Sequence, residues 1–360
     1  MLVDYLVVGA GLTGAVISRT LADAGRDVVV VDRRSHLGGN VHDHVHESGI
    51  RIHTYGPHYF RTSSDRIWEW ANRFSSFYRY EAEVLSDISG ELAQWPTSSE
   101  YMEKLVGNNW LPDFSGEPRN LEEAALSIMP RRVYELFVKE YNEKQWGVDC
   151  RLLRPSLCKR FDVRPTGESR LTPNAKYQGI PEVGYAEWTS RMFDGIPVVL
   201  NCDYLRAGKD ITARRSLIFT GPIDEFFSFD LGKLQYRGQH RRHQYFPNEN
   251  FVQRKGQINN PLKSGGKHIR SLEWKHMMRP DVASRITGTV VTTETPFSPS
   301  SPSEYEYPFP SSENENLYER YRKRANATDR LVIAGRLGEY RYYDMDQAIA
   351  RAMTIAERLL

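Results

Sequence analysis

Near the start of the chain, Gly9-Ala10-Gly11-Leu12-Thr13-Gly14 follows an apolar run at residues 3–8 and opens a helical pattern that runs to residue 24. Glycines at this spacing have separate tasks. Gly9 permits a tight turn, Gly11 lets the backbone approach a pyrophosphate, and Gly14 lets the helix pack close to the strand. The unpaired N–H groups at the helix start then face the phosphates. A second apolar run at residues 28–31 ends in Asp32, 18 residues after Gly14, near the distance expected for an acid on ribose hydroxyls. The chemistry implied is dinucleotide binding on a βαβ unit.

The elements that must carry this unit read as follows. Residues 65–82 and 100–147 show apolar and aromatic residues at three- and four-residue spacing and predict helices. From residue 235 to 278 the pattern is mostly strand-like, and residues 295–312, rich in Pro and Ser, read as an extended loop. A helix over 313–325, a buried strand at 331–334 and a final helix from Met345 close the chain. The first and last strands are short, continuous and apolar, which suits one parallel sheet that the chain leaves and re-enters. His240-Arg241-Arg242-His243 has no metal-ligand spacing and reads as one solvated strand face. Phe137 and Tyr141, four apart on a helix, share a face, which suits either a nucleobase or ordinary helix packing.

Composition limits the alternatives. The 360 residues are 40% hydrophobic and 26% charged, with a net charge of +2, which is an ordinary globular balance that implies no nucleic-acid partner. Cys150, Cys158 and Cys202 are odd in number and form no CxxC pair, so neither a disulfide framework nor a metal site is expected. A reducing cytoplasm fits this. No apolar run reaches membrane-spanning length, and the N-terminal run leads into glycines rather than a cleavage site.

Family resemblance sharpens the reading. The pair Gly38-Gly39, followed by Asn40, resembles FAD-binding proteins of the glutathione-reductase and amine-oxidase type rather than NAD-binding domains. Further segments resemble the UDP-galactopyranose mutases, in order along the whole chain. They are YGPHYFRT at 55–62, YNEKQWG at 141–147, YQGIP at 177–181, TGPID at 220–224, YPFP at 307–310 and GRLGEYRYYDMD at 335–346. The resemblance implies a mixed α/β fold: a Rossmann-like FAD-binding domain (1–75 and 326–360), an inserted helical substrate and dimer domain (76–165), and an antiparallel sheet domain (166–325) interleaved with FAD-domain segments. It also implies the reaction. Reduced flavin attacks the anomeric carbon through N5 and expels the nucleoside diphosphate; the sugar ring opens and recloses, and the diphosphate returns.

Residue roles come from the same resemblance. Arg160 and Arg270 match positions that hold the diphosphate, a task suited to the planar guanidinium fork. Tyr342 reaches the phosphates, Asp344 lies near the sugar, and Arg336 meets the FAD pyrophosphate. The helix beginning at Met345 points its N-terminus at the flavin, and His58 sits beside the ring. Tyr141 and Phe137 flank the base, with Asn142 beside them, and Trp146 covers the sugar or ribose. A homodimer and an external reductant such as NAD(P)H are implied as partners. Some positions depart from the family. Asn142 replaces a threonine, Thr172 stands about where a tyrosine is expected, and Asn259-Asn260 replaces part of an NYTD run. These leave open another UDP-, dTDP- or GDP-linked sugar, with Arg170 or Lys176 as replacement phosphate contacts. An amine-oxidase-like oxidoreductase and a non-catalytic FAD-binding protein are the rival readings.

Overall fold

The computed structural model describes residues 1–161, 163–164, 167–207 and 210–360, with the backbone alone for Arg160. A five-stranded parallel sheet runs in the order Val198–Val199, Val28–Val31, Leu2–Val8, Thr212–Phe219 and Leu331–Ile333. The chain therefore leaves this sheet and re-enters it twice, and its last strand lies two places from its first. Val28–Val31 is buried at all four positions because helices cover the sheet. The first helix, Leu12–Asp23, packs on the last, Met345–Leu359, whose buried Ile349, Ala352, Met353 and Ala356 form one stripe.

A second sheet of seven strands has the order Tyr307–Pro308, Tyr236–Phe246, Thr289–Phe297, Arg270–Glu273, Gln257–Asn259, Val84–Ile88 and Glu91–Trp95. It is antiparallel except where Gln257–Asn259 pairs with Val84–Ile88. Between the sheets in sequence lies a helical block built from Ser99–Val106, Leu121–Leu126 and the run from Arg131 to Trp146. Within that run Tyr134–Lys139 is a π-helix.

Two expected helices are shorter than their periodicity implied. The first ends at Asn72, and Phe77–Tyr78 pairs instead as a strand with Tyr177–Pro181. The stretch 100–147 is broken where Gly107 and Gly116 take positive φ among prolines. Inside the span 76–165, expected to be helical, Val84–Ile88 and Glu91–Trp95 form a hairpin of the seven-stranded sheet. Its turn is Ser89-Gly90, both at positive φ, as two-residue hairpins require. Among the described residues, no helix is long and apolar enough to cross a membrane.

Candidate active site

A cleft opens at the carboxyl ends of the parallel strands, where open α/β sheets bind ligands. Gly9, Gly11, Asp32, Gly38, Gly39 and Asn40 line one side; Arg336 and Met345 line another. Gly14 stands behind the turn, where an added Cβ would fall 1.9 Å from the Gly9 carbonyl oxygen. Gly39, at φ +55°, would place a Cβ 2.8 Å from Gly11 Cα. The turn and the second glycine pair thus touch backbone to backbone. The first helix starts at Gly11 with no side-chain cap and no acid in its first turn, so its N–H groups are left for an anion at the cleft.

Asp32 is buried and braces this turn. One carboxylate oxygen accepts from Ala10 N at 2.6 Å and the other from Arg34 N at 2.7 Å. Each oxygen keeps a second acceptor site for a ribose hydroxyl. Sequence reasoning missed the opposite wall. Asp203 and Tyr204 follow the edge strand, and Thr220, Gly221 and Pro222 follow Thr212–Phe219. The TGPID motif was a signal for the second group; nothing local marks the first.

His58 lines the same cleft. Its Nδ1 lies 2.7 Å from the Gly56 carbonyl, so Nδ1 carries the proton and Nε2 is the acceptor. Burial, then His53 and Arg336, hold the imidazole well below its ordinary pKa, against the Gly56 carbonyl. Its backbone N donates to Nδ1 of buried His53, whose own pKa is pushed down to about 4 by burial. A histidine with a lowered folded pKa is neutral in both states above about pH 6.5. As pH falls below that, the unfolded chain takes up the proton first, so stability is lost between pH 6.5 and about 4. For His53 the loss by pH 4.5 is about 2–3 kcal/mol. His53→Asn keeps an acceptor for His58 and should flatten the fall in urea midpoint from pH 7.5 to 4.5. Parallel curves for the two proteins would exclude this account.

From Arg336, at the edge of the cleft, a chain of contacts leads toward the seven-stranded sheet. The Arg336 guanidinium donates to Tyr343 O at 2.8 Å and lies 4.4 Å from the Tyr342 ring centre. Tyr342 stacks on Tyr307 with centroids 6.0 Å apart. Beyond Tyr307, Arg270 donates from Nε to Glu294 at 2.5 Å. Burial works against the Arg270 charge, but Glu294, then Tyr141 and Tyr307, hold its pKa well above the ordinary value. Arg270, Tyr141, Tyr307 and Tyr342 therefore form one cationic, hydroxyl-bearing wall. The Arg160 side chain lies outside the described residues.

Asp344 caps the last helix in a capping box with Gln347 and also takes Arg61 Nη2 at 3.0 Å. Arg61 borders a second cleft with Thr172 and Asp346. Thr172 Oγ1 donates to Gln178 Oε1 at 2.8 Å. Both cations named as replacement phosphate contacts are committed to carboxylates. Arg170 is paired with Glu168 at 2.6 Å and Glu81 at 3.1 Å, and Lys176 with Asp65 at 2.5 Å.

Three readings on the substrate side need correction. Phe137 is 4% exposed, stacked on Trp95 at 5.5 Å with Tyr101 against its edge, so it belongs to the helical core. Four helical residues advance about 6 Å, enough to pass from that core to the half-buried Tyr141. Asn142 is buried too, and its amide donates back to Val138 O at 2.7 Å instead of facing a base. Arg241 is not on a solvated face: its side chain is 9% exposed, while His240, Arg242 and His243 are exposed. Trp146 is buried with its ring edge-on to Phe309.

The KQWG segment has a structural task that its sequence does not declare. Lys144 Nζ donates to the carbonyls of Asn260, Leu262, Gly266 and His268, and Gln145 Oε1 accepts from Gln239. This clamps the helical block to the sheet.

Fold and site define a Rossmann-type dinucleotide-binding enzyme whose cleft is linked, through Arg336 and Tyr342, to a wall of arginine and tyrosine. Residues 7–74 match the NAD(P)-binding Rossmann-like domain, and residues 136–342, more than half of the chain, match the UDP-galactopyranose mutase family. The UDP-galactopyranose mutase of Mycoplasma pneumoniae is 30% identical, over 99% of this chain and 96% of its own length. The dTDP-fucopyranose mutase of Escherichia coli is 27% identical, over 98% of this chain and 97% of its own length. A crystal structure of reduced UDP-galactopyranose mutase superposes with a TM-score of 0.76 at 14% identity, covering 99% of this chain and 93% of that one. The chain belongs to the UDP-galactopyranose mutase family, whose members are isomerases.

Proposed function

We propose that the chain is an FAD-dependent mutase that interconverts the pyranose and furanose forms of a nucleotide-diphospho-sugar, with UDP-galactopyranose to UDP-galactofuranose as the first reading. The observation that carries it is continuity. The glycine-lined cleft, through Arg336 and Tyr342, meets the wall of Arg270, Tyr141 and Tyr307. A dinucleotide in the first and a sugar diphosphate at the second would lie side by side.

FAD fits the residues present. The uncapped helix start and the glycine contacts suit a pyrophosphate, Asp32 suits a ribose, and His58 and the last helix suit the ring end. When bound and reduced, flavin supplies a nucleophilic nitrogen for the anomeric carbon, with no net oxidation. Arg270 and the tyrosines hold the departing diphosphate, where charge-assisted bonds are strongest. His58 keeps a neutral ring with Nε2 open as an acceptor. Arg160 joins Arg270 in this reading, Tyr141 carries the base, and Trp146 packs beside the sugar. An external reductant such as NAD(P)H, a cytoplasmic location and a homodimer complete it. So does the division of the chain into an FAD domain (1–75, 326–360), a helical domain (76–165, less its hairpin at Val84–Ile88 and Glu91–Trp95) and a sheet domain (166–325) interleaved with FAD-domain segments such as Thr212–Phe219.

A second reading, the same chemistry on a dTDP-linked deoxysugar, is favoured by the full-length similarity to a dTDP-fucopyranose mutase and by Thr172. One assay separates them. UDP-galactopyranose and dTDP-fucopyranose are offered to enzyme with and without dithionite, and furanose product is measured. Furanose should form from UDP-galactopyranose only with reduced enzyme, with no reductant consumed per turnover. Equal rates in both redox states, or no product from either sugar, would overturn the mutase reading.

A further inference from the structure

Three neighbouring strands of the seven-stranded sheet set a buried charge cluster against the Arg270 wall. Glu294 lies on the middle strand, directly opposite Arg241 on one side and Arg270 on the other. Its two oxygens are shared: Oε1 accepts from Arg241 Nε at 2.8 Å and Oε2 from Arg270 Nε at 2.5 Å. Arg241 spends its remaining fork on Glu306, with Nη1 at 2.9 Å from Oε1 and Nη2 at 2.7 Å from Oε2. The Arg241, Arg270, Glu294 and Glu306 side chains are 9%, 16%, 0% and 8% exposed.

Two guanidinium groups thus face two carboxylates, and the cluster is neutral overall. Arg270 spends Nε on Glu294, which leaves its fork as the part suited to an anion. Gly56, in the loop that carries His58, rests on the cluster: a Cβ there would fall 2.8 Å from Glu294 Oε1 and 3.4 Å from Arg241 Nη2. Burial would raise the Glu294 pKa, but Arg270 and Arg241 together hold it below the usual range. Glu294 carries its negative charge beside the diphosphate site, and without Arg241 the Glu306 carboxylate has no cation in its fork.

Resting on the functional reading above, we propose that Arg241 is a positioning residue of the diphosphate site. It cancels Glu306, shares Glu294, and so keeps the wall behind Arg270 from turning anionic. Its action on the substrate runs through the two glutamates and Arg270. The sign of the effect is therefore set by charge and can be reversed by a second substitution.

The test is the binding of UDP, and of dTDP in parallel, to the purified flavoprotein by titration calorimetry, with bound flavin as the check on folding. Arg241→Met leaves one uncancelled negative charge and should weaken nucleotide binding roughly tenfold or more, since like charges a few ångströms apart repel strongly in a buried setting. Glu306→Gln leaves one extra positive charge and should tighten binding several-fold. The double variant is neutral again and should bind within about threefold of the parent. A role in packing alone predicts no rescue in the double variant and no gain in Glu306→Gln. If Arg241→Met does not fold, Glu306→Gln decides by itself: unchanged or weaker binding overturns the proposal. If all four proteins bind alike, the proposal fails and the functional reading stands. If the parent binds neither nucleotide, the functional reading fails and takes the proposal with it.

Discussion

Arg270→Ala should lower kcat/KM for the sugar nucleotide by tens- to thousands-fold while the protein keeps its flavin. Losing one partner of a buried charged contact costs about 2–5 kcal/mol, and each 1.4 kcal/mol is tenfold in rate. Two losses coincide. The diphosphate loses a charge-assisted donor where negative charge grows as it departs, and Glu294 keeps only Arg241 as its cation. Arg270→Lys should recover little. An ammonium is a point charge and cannot bond Glu294 through one nitrogen while turning a planar fork to a phosphate. Steady-state kinetics with reduced enzyme, alongside the flavin-to-protein ratio, checks this. Near-parental turnover with full flavin would show that the diphosphate is held elsewhere.

Gly14→Ala should cost the protein its cofactor. A Cβ 1.9 Å from the Gly9 carbonyl oxygen and 3.1 Å from its carbon meets backbone, which cannot rotate away as a side chain can. The first helix must lift from the turn, carrying its free N–H groups from the pyrophosphate position. Overpacking of this kind costs about 1–3 kcal/mol, occasionally more. Here the strain falls on the binding geometry itself, so at least a tenfold fall in flavin retention is expected. Gel filtration followed by flavin absorbance of the protein peak measures it. A variant that elutes yellow at full stoichiometry would contradict the close-packing role of Gly14.

The cofactor side was legible because its requirements are local. Strand, glycine turn, helix and acid lie within about 30 residues, and the physics that demands each glycine acts between near neighbours. The return of the chain to the same sheet was readable for a related reason, since only strands buried on both faces are continuously apolar. The substrate side depends on distant partners. Arg241 reads as one charge in a charged run until Glu294, 53 residues later, is placed opposite it. Phe137 and Tyr141 keep helical spacing in sequence, yet only packing against Trp95 decides which ring is covered. The hairpin at Val84–Ile88 and Glu91–Trp95 carried its own signal in Ser89-Gly90, but the sheet it joins is mostly built from residues far down the chain. The lysine of KQWG gives no hint in sequence that four loop carbonyls await it.

The order in which the cradle is completed has a consequence for biosynthesis. Its glycine turn leaves the ribosome well before Gly335, Arg336 and Met345, which line the opposite side of the same cleft. Thr212–Phe219 must wait for Leu331–Ile333 to cover its open edge, and the first helix must wait for Met345–Leu359 to pack on it. During translation the early βαβ unit therefore carries an unpaired sheet neighbour and a half-covered helix, features that invite chaperone attention. Under the proposed function, flavin capture would have to wait for that second side of the cleft. A ribosome stalled near residue 330 would display a chain with its dinucleotide turn made and the Gly335, Arg336 and Met345 side of the cleft still missing.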